Sequence, residues 1–281
     1  MEKLAIISDV HANLTALNAV LADCKKRQVS HIFCLGDSIL KCTRPAEVID
    51  QVLEVCDVVL LGNSDYAICR PEAKEKHFWS REKIGEKRAN QIMQLPISHE
   101  FYCSGHLIRL FHASPYGLDH IFNPMFSNEN TIYAGVEHTN PMDLFANTPF
   151  IGKTTKDAIP DVVGYGHIHT PCLFRYQNKT IFNPGSVGIS VEMMNSNLCD
   201  TSNKFSTLAS YMIIEGNYLS SVLDSISFQL VRVPYDIEKE VALLEASDMP
   251  NKESFIHSLV GALPTSVNNQ MDEKNKEVSY E

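Results

Sequence analysis

Five apolar stretches of this chain stop in the same way, each running into side chains that can hold a metal or a phosphate. Residues 4–8 run into Asp9-Val10-His11-Ala12-Asn13, and residues 31–35 into Gly36-Asp37. Residues 58–61 meet Gly62-Asn63-Ser64-Asp65, residues 107–111 meet His112, and residues 161–164 lead into Gly166-His167-Ile168-His169. Short apolar runs bounded by turn residues read as buried strands. Helical patterns separate the first three. Leu14, Leu17, Leu21 and Cys24 share one helix face, and Asn13 stands where a helix cap belongs. Pro45 opens a second helix with Ala46, Ile49, Leu53 and Cys56 on its inner side. A third helical stretch, 81–95, stops before Pro96. Alternating strands and helices predict a parallel sheet, and ligand sites in such proteins form at the strand exits. One feature thus constrains both the architecture and the place of the site.

The second half is less regular. Residues 113–160 carry few periodic signals and many Pro, Asn, Tyr and Phe. That is long for a connection, so it predicts an active-site lid or a small cap. Strands are expected at 172–176 and 180–182 with Asn178-Lys179 as the hairpin turn, then at 208–215 and 227–233. Two amphipathic helices are expected over about 236–263, lined by Ile237, Val241 and Leu244 and by Phe255, Leu259 and Leu263. The polar stretch 264–281 reads as a disordered tail beyond a single domain of residues 1–263.

Composition narrows the partners. A net charge of −10 without Lys/Arg runs argues against stable nucleic-acid binding. No apolar run approaches a membrane span, and residues 1–3 are too short and polar for a signal peptide. The 8 cysteines form no C-x-x-C pair and read as reduced thiols, so the expected compartment is the cytoplasm. Nothing in the sequence specifies the oligomeric state.

The strand exits supply only nitrogen and oxygen donors. Side chains two apart on a strand share a face, so His167 and His169 are expected to aim at one object. That object is a metal, or the pair forms a hydrogen-bonded polar turn. A single Gly-Asp is usually just a turn; the ordered set of five exits carries the argument.

Asp9-x-His11, Gly36-Asp37, Gly62-Asn63-x-Asp65, His112 and Gly166-His167-x-His169 together resemble the calcineurin-like metallophosphoesterase family, in its small bacterial and archaeal phosphodiesterase branch. The likeness spans about residues 4–190 and includes Asn183-Pro184-Gly185-Ser186-Val187-Gly188. It implies an α/β fold of two packed mixed β-sheets flanked by helices, a four-layer sandwich. It implies two divalent metal ions, the first held by Asp9, His11, Asp37 and His169, the second by Asp37, Asn63, His112 and His167, with Asp37 shared. Asp37, Asn63 and His112 would be catalytic, and a hydroxide between the ions would attack phosphorus in line. A donor set without thiolate suits Mn, Fe, Zn or Ni, with Mn and Fe favoured.

Where many relatives have His after the Gly-Asn, this chain has Ser64. That histidine helps to protonate the leaving oxygen, which serine does not do near neutral pH. The expected substrate is therefore a small, nucleotide-like phosphorylated molecule, either a phosphodiester or a nucleotide or dinucleoside polyphosphate. A serine/threonine phosphatase-type phosphomonoesterase is the alternative. A non-catalytic scaffold on the same fold is disfavoured because all seven ligand positions are filled. Other residues stay open between two readings. Asn13 is a helix cap or a phosphate contact; Asp65 orients the Asn63 amide or caps the next segment. Arg70 reaches a phosphate or is solvated. Tyr116, His120 and Tyr133 stack on a base or pack the 113–160 segment.

Overall fold

Layering follows from the first strand. In β1 (Glu2–Ile7), Leu4 and Ile6 face one way and Ala5 and Ile7 the other, and all four are fully buried. A strand buried on both faces needs cover on both. The computed structural model describes residues 1–122, 140–152, 158–191 and 206–260, and shows that cover. Ala5 and Ile7 pack against Leu17 and Val20 of α1 (Leu14–Lys26) and Val48 and Val52 of α2 (Pro45–Val55). Leu4 and Ile6 pack against a second sheet through Ile108, Leu110 and Phe182.

In the first sheet, β1 pairs in parallel with β2 (His31–Cys34), and β2 with β3 (Val58–Val59). On its other side β1 meets β9 (Leu208–Gly216), itself antiparallel to β10 (Ser227–Pro234). The second sheet runs β4 (Ser98–Cys103), β5 (His106–Phe111), β6 (Val162–Tyr165), β8 (Lys179–Asn183) and β7 (Cys172–Tyr176). Its central β5–β6–β8 pairs are parallel and its outer pairs antiparallel. Both sheets are mixed, as expected. Among the described residues no helix is long and apolar enough to cross a membrane.

Several local expectations change. β3 keeps only two residues, because the chain turns at Gly62 straight into α3 (Asn63–Cys69), a helix too short and polar to show a period. α4 (Phe78–Ile92) starts before position 81 and bends at Gly85, whose φ is 72°. β4 escaped the sequence reading because its apolar alternation is confined to Phe101 and Cys103. The hairpin turn is Gln177-Asn178, one residue early. Both residues have positive φ, 47° and 62°, as a two-residue turn between twisted strands requires, and Lys179 already pairs with Tyr176. The amphipathic helices α5 (Ile237–Glu245) and α6 (Lys252–Val260) pack Val241, Leu244 and Leu259 against Ala12, Cys42 and Ile189. Leu263 and the 264–281 tail lie outside the described residues.

Two arginines, Arg44 partly exposed and Arg109 fully buried, tie the periphery to this frame. Arg44 donates to Thr15 Oγ1 at 2.6 Å and to Glu240 Oε2 at 2.7 Å, joining α5 to the start of α1. Arg109, on the outer face of β5 and fully buried, donates to Glu100 Oε1 at 2.6 Å, the Ala146 carbonyl at 3.0 Å and Asn147 Oδ1 at 2.6 Å. It holds the chain after the 3₁₀ turn Pro141–Phe145 on the sheet, where Leu144, Phe145 and Phe122 cover Val163, Tyr165 and Ile181. Removing one member of a buried ion pair strands the other. Arg109→Met should cost about 3–5 kcal/mol in urea denaturation. The double variant Arg109→Met/Glu100→Gln should recover part of that loss, because no lone charge stays buried.

Candidate metal centre

Asp9, His11, Asp37, His167 and His169 all adopt left-handed backbone, with φ between 52° and 68°. For residues with a Cβ this costs roughly 1–2 kcal/mol each. Such strain persists where the surroundings over-determine it. Here the peptide groups interlock: Asp9 N donates to Gly36 O at 2.9 Å, His11 N to Asp37 O at 2.9 Å, and Gly166 N to His112 O at 2.7 Å. Two glycines allow the approach. A Cβ on Gly62 would lie 2.2 Å from Asp37 Oδ1, and one on Gly166 2.8 Å from Asp9 Oδ2. Any side chain there would push a carboxylate out of place.

The left-handed turns correct the strand argument for the two histidines. β6 ends at Tyr165, so His167 and His169 stand beyond it and take different neighbours. His169 Nε2 lies 2.9 Å from His11 Nε2 and 3.3 Å from Asp9 Oδ1. His167 Nδ1 lies 3.1 Å from Asn63 Oδ1, which is also 2.9 Å from His112 Nε2. Asp37 stands between these groups, with Oδ2 3.9 Å from His11 Nε2 and Oδ1 3.5 Å from His112 Nε2. Asp9 with His11 and His169, and Asp9 with Asp37 and His112, each bring three donor atoms within 4.8 Å of one another.

Outer partners set the imidazole tautomers. His112 Nδ1 donates to the Leu35 carbonyl at 2.9 Å and His169 Nδ1 to the Ile189 carbonyl at 2.8 Å. Each ring thereby presents its Nε2 lone pair inward, the usual arrangement of a metal-binding histidine. The consequence is a cluster of inward-facing ligand atoms. His112 Nε2 meets the Asn63 oxygen, two imidazole Nε2 atoms meet each other, and Asp9 Oδ1 is buried with no hydrogen bond. A cation would satisfy Asp9 Oδ1 and draw on the nitrogen and oxygen donors around it, so the residues present fit divalent metals.

Charge states agree for Asp9, His11 and His167. Burial favours a neutral Asp9, but His169, His112 and His11 outweigh it and hold the carboxyl well below its ordinary value. Burial, then Lys41 and His169, push His11 down; burial and then His112 bring His167 to about 4. His112 moves up despite its burial, through Asp37 and Asp9. An ionised Asp9 beside neutral His11 and His167 is the protonation state that metal binding needs.

Residues with open readings now have places. Asn13 is fully buried with its polar groups engaged: it caps α1 by accepting from Ala16 N at 2.9 Å and donates to Gly188 O at 3.0 Å. It acts as a cap and a clamp. Ser64 donates from Oγ to Asp37 Oδ2 at 2.7 Å and from its backbone N to Oδ1 at 2.8 Å. Asp65 does neither of the expected things. Its Oδ1 accepts from Ser38 N at 2.8 Å and Ile39 N at 3.2 Å, so it braces the loop after Asp37. Burial and the nearby Asp37 raise its pKa to about 7. Arg70 ends α3 with its guanidinium over the Tyr66 ring. Tyr116 and His120 pair with ring centres 5.5 Å apart, whereas Phe122 is a core residue. Tyr133 lies outside the described residues. One residue escaped the sequence reading altogether: Lys41, whose Nζ is 3.1 Å from His11 Nε2. It sits in an aperiodic loop, and only the fold reveals where its side chain goes.

The model of the calcineurin-like phosphoesterase superfamily domain matches residues 2–204. This chain belongs to that superfamily. An uncharacterised protein of Methanocaldococcus jannaschii is 25% identical over 263 residues, covering 88% of this chain and 93% of that protein. The fold is shared with a metallophosphoesterase from Sphaerobacter thermophilus, at TM-score 0.65 and 22% identity over 93% of this chain and 100% of the other. A hypothetical protein from Pyrococcus horikoshii also shares it, at TM-score 0.63 and 14% identity over 92% and 98%. This member of the superfamily thus combines its fold with side-chain clusters fit for divalent metals.

The Asp65 brace can be tested without any ion. Asp65→Ala leaves the Ser38 and Ile39 N–H groups without their acceptor and should cost metal-free protein about 2–4 kcal/mol in urea denaturation. Asp65→Asn retains an oxygen at that place and should cost less than half as much.

Proposed function

We propose that this protein hydrolyses phosphodiesters or nucleotide or dinucleoside polyphosphates at a centre of two divalent ions, with Mn or Fe the favoured metals. Asp9, His11, Asp37 and His169 would hold one ion. Asp37, Asn63, His112 and His167 would hold the other. The observation that carries this reading is the cluster of inward-facing ligand atoms, above all the buried, unbonded Asp9 Oδ1 within 3.3 Å of His169 Nε2 and 3.7 Å of His11 Nε2. When bound, such ions activate a water as nucleophile and stabilise charge on the phosphoryl oxygens.

The chain's own residues do the rest. Asp37 reaches both sides of the cluster, and Ser64 fixes it from behind through two hydrogen bonds. The Ser64 proton is committed to Asp37, so position 64 has none to give to a departing alkoxide. That favours esters and anhydrides whose leaving groups depart without protonation.

Asp37→Ala should lose metal stoichiometry and lower kcat on the order of 10³-fold, read by elemental analysis and a diester assay. Ser64→Ala should weaken metal affinity about 10–100-fold, as loss of an outer partner does, with the fold intact by circular dichroism. The substrate reading is tested by a panel with Mn²⁺: bis-p-nitrophenyl phosphate, diadenosine polyphosphates, nucleotides and a phosphoserine peptide. Faster turnover of the phosphoserine peptide than of any diester or anhydride would replace this reading with a phosphomonoesterase.

A further inference from the structure

Beside the metal centre a cleft of about 410 Å³ opens toward α6. His167 and His169 form one end of it, and Ile121, Ile189, Val191 and Phe255 line its apolar walls. Ser254 and Ser258, one turn apart on α6, add two hydroxyls. Among the described residues that line the cleft, Lys41 is the single lysine or arginine. α6 lies beyond residues 2–204, the part that matches the superfamily domain, so this wall is contributed by the chain's C-terminal extension.

Lys41 is held there under constraint. Its φ is 84°, a left-handed conformation that disfavours every residue with a Cβ, and its side chain is half-buried. Among the described residues its one hydrogen-bonding contact is His11 Nε2, and it makes no ion pair with a carboxylate. Backbone strain retained at the edge of a ligand site points to a use for the side chain. A lysine ammonium is a compact point charge that suits phosphate oxygens. The cleft as a whole matches the pattern of a small-molecule site: mostly apolar, with a few polar groups to fix orientation.

We propose that this cleft selects nucleoside phosphoanhydrides. Lys41 binds the phosphoryl group next to the one attacked, and the nucleoside lies against Phe255 and Ile189 with its polar edges toward Ser254. The inference rests on the function proposed above and narrows its substrate class from diesters and anhydrides together to anhydrides alone. In the reaction the oxygen of water forms the new P–O bond and the anhydride P–O bond breaks. The attacked phosphorus is the one that carries the nucleoside, so the bridging oxygen leaves on the distal phosphate with the bonding electron pair, and the protons of water pass to solvent. A phosphate leaving group needs no protonation at neutral pH, which agrees with a position 64 that supplies none.

The test measures binding, on the full chain loaded with Mn²⁺, by calorimetry with three non-hydrolysed probes: α,β-methylene ADP, AMP and methylene diphosphonate. Wild type should bind α,β-methylene ADP about 10–100-fold more tightly than AMP, the range of one charge-assisted contact. Lys41→Met should remove that gap with metal stoichiometry unchanged. Phe255→Ala should narrow the gap between α,β-methylene ADP and methylene diphosphonate. A gap that survives in Lys41→Met overturns the proposal. So does an equal loss for AMP and the ADP analogue, which would put Lys41 on the attacked phosphoryl group, and so does loss of metal, which would make Lys41 a support for His11. Because binding is read without turnover, a protein that hydrolyses nothing in the panel can still show the gap. A protein that cleaves diesters without showing it keeps its function and loses this inference.

Discussion

The Asp37 carboxylate is the constraint on which the rest of the site depends. Its two oxygens reach toward opposite halves of the histidine cluster, and both are held by Ser64. Gly62 must lie against it, since a Cβ at 62 would occupy the place of Oδ1. That contact fixes how β3 leaves the sheet and why α3 starts at Asn63. The same start places Asn63 against His112 and Asp65 against the peptide groups of residues 38 and 39. Sheet register and site geometry are therefore one problem: β1, β2 and β3 align so that Asp9, Asp37 and Asn63 meet.

Concentrating carboxylates and imidazoles where water is excluded has a cost, visible in the shifted pKa values. Asp9 is driven toward its ionised form by surrounding rings, while Asp65, close to Asp37, is driven toward its neutral one. Burial and neighbouring charge thus drive two acids near the site in opposite directions. The left-handed backbone at five of the seven donor positions is a second cost. Both are the kind of penalty that bound cations offset, because metal binding adds to folding free energy.

The periphery shapes access to this centre. Arg44, Thr15 and Glu240 draw α5 onto the start of α1, and α6 follows to stand over His167 and His169. Arg109 anchors residues 145–147 to the second sheet in the same manner. Each tie joins distant parts of the chain through an arginine held against a carboxylate, Arg44 by Glu240 and Arg109 by Glu100, so each fixes position more than it adds stability.

Much of this was legible from order along the chain. Strand and donor recur five times, three of them across a glycine, and that local code sufficed to mark Asp9, His11, Asp37, Asn63, His112, His167 and His169; the two mixed sheets came with the family resemblance that those residues carry. Local patterns could do this because a strand exit and its turn are set by neighbours in sequence. What only the tertiary structure decided is what those side chains face. His167 and His169 part company because left-handed turns, not strand alternation, aim them. Asn13 is consumed by Gly188, 175 residues away, and Asp65 by residues 27 and 26 positions earlier. β4 and α3 carry too little periodicity to be seen before they are packed. Lys41 gains meaning only when its loop folds back on His11 and α6 closes the far wall. A sequence specifies the turns, but partners across hundreds of residues are chosen by packing, where burial, close contact and charge act together.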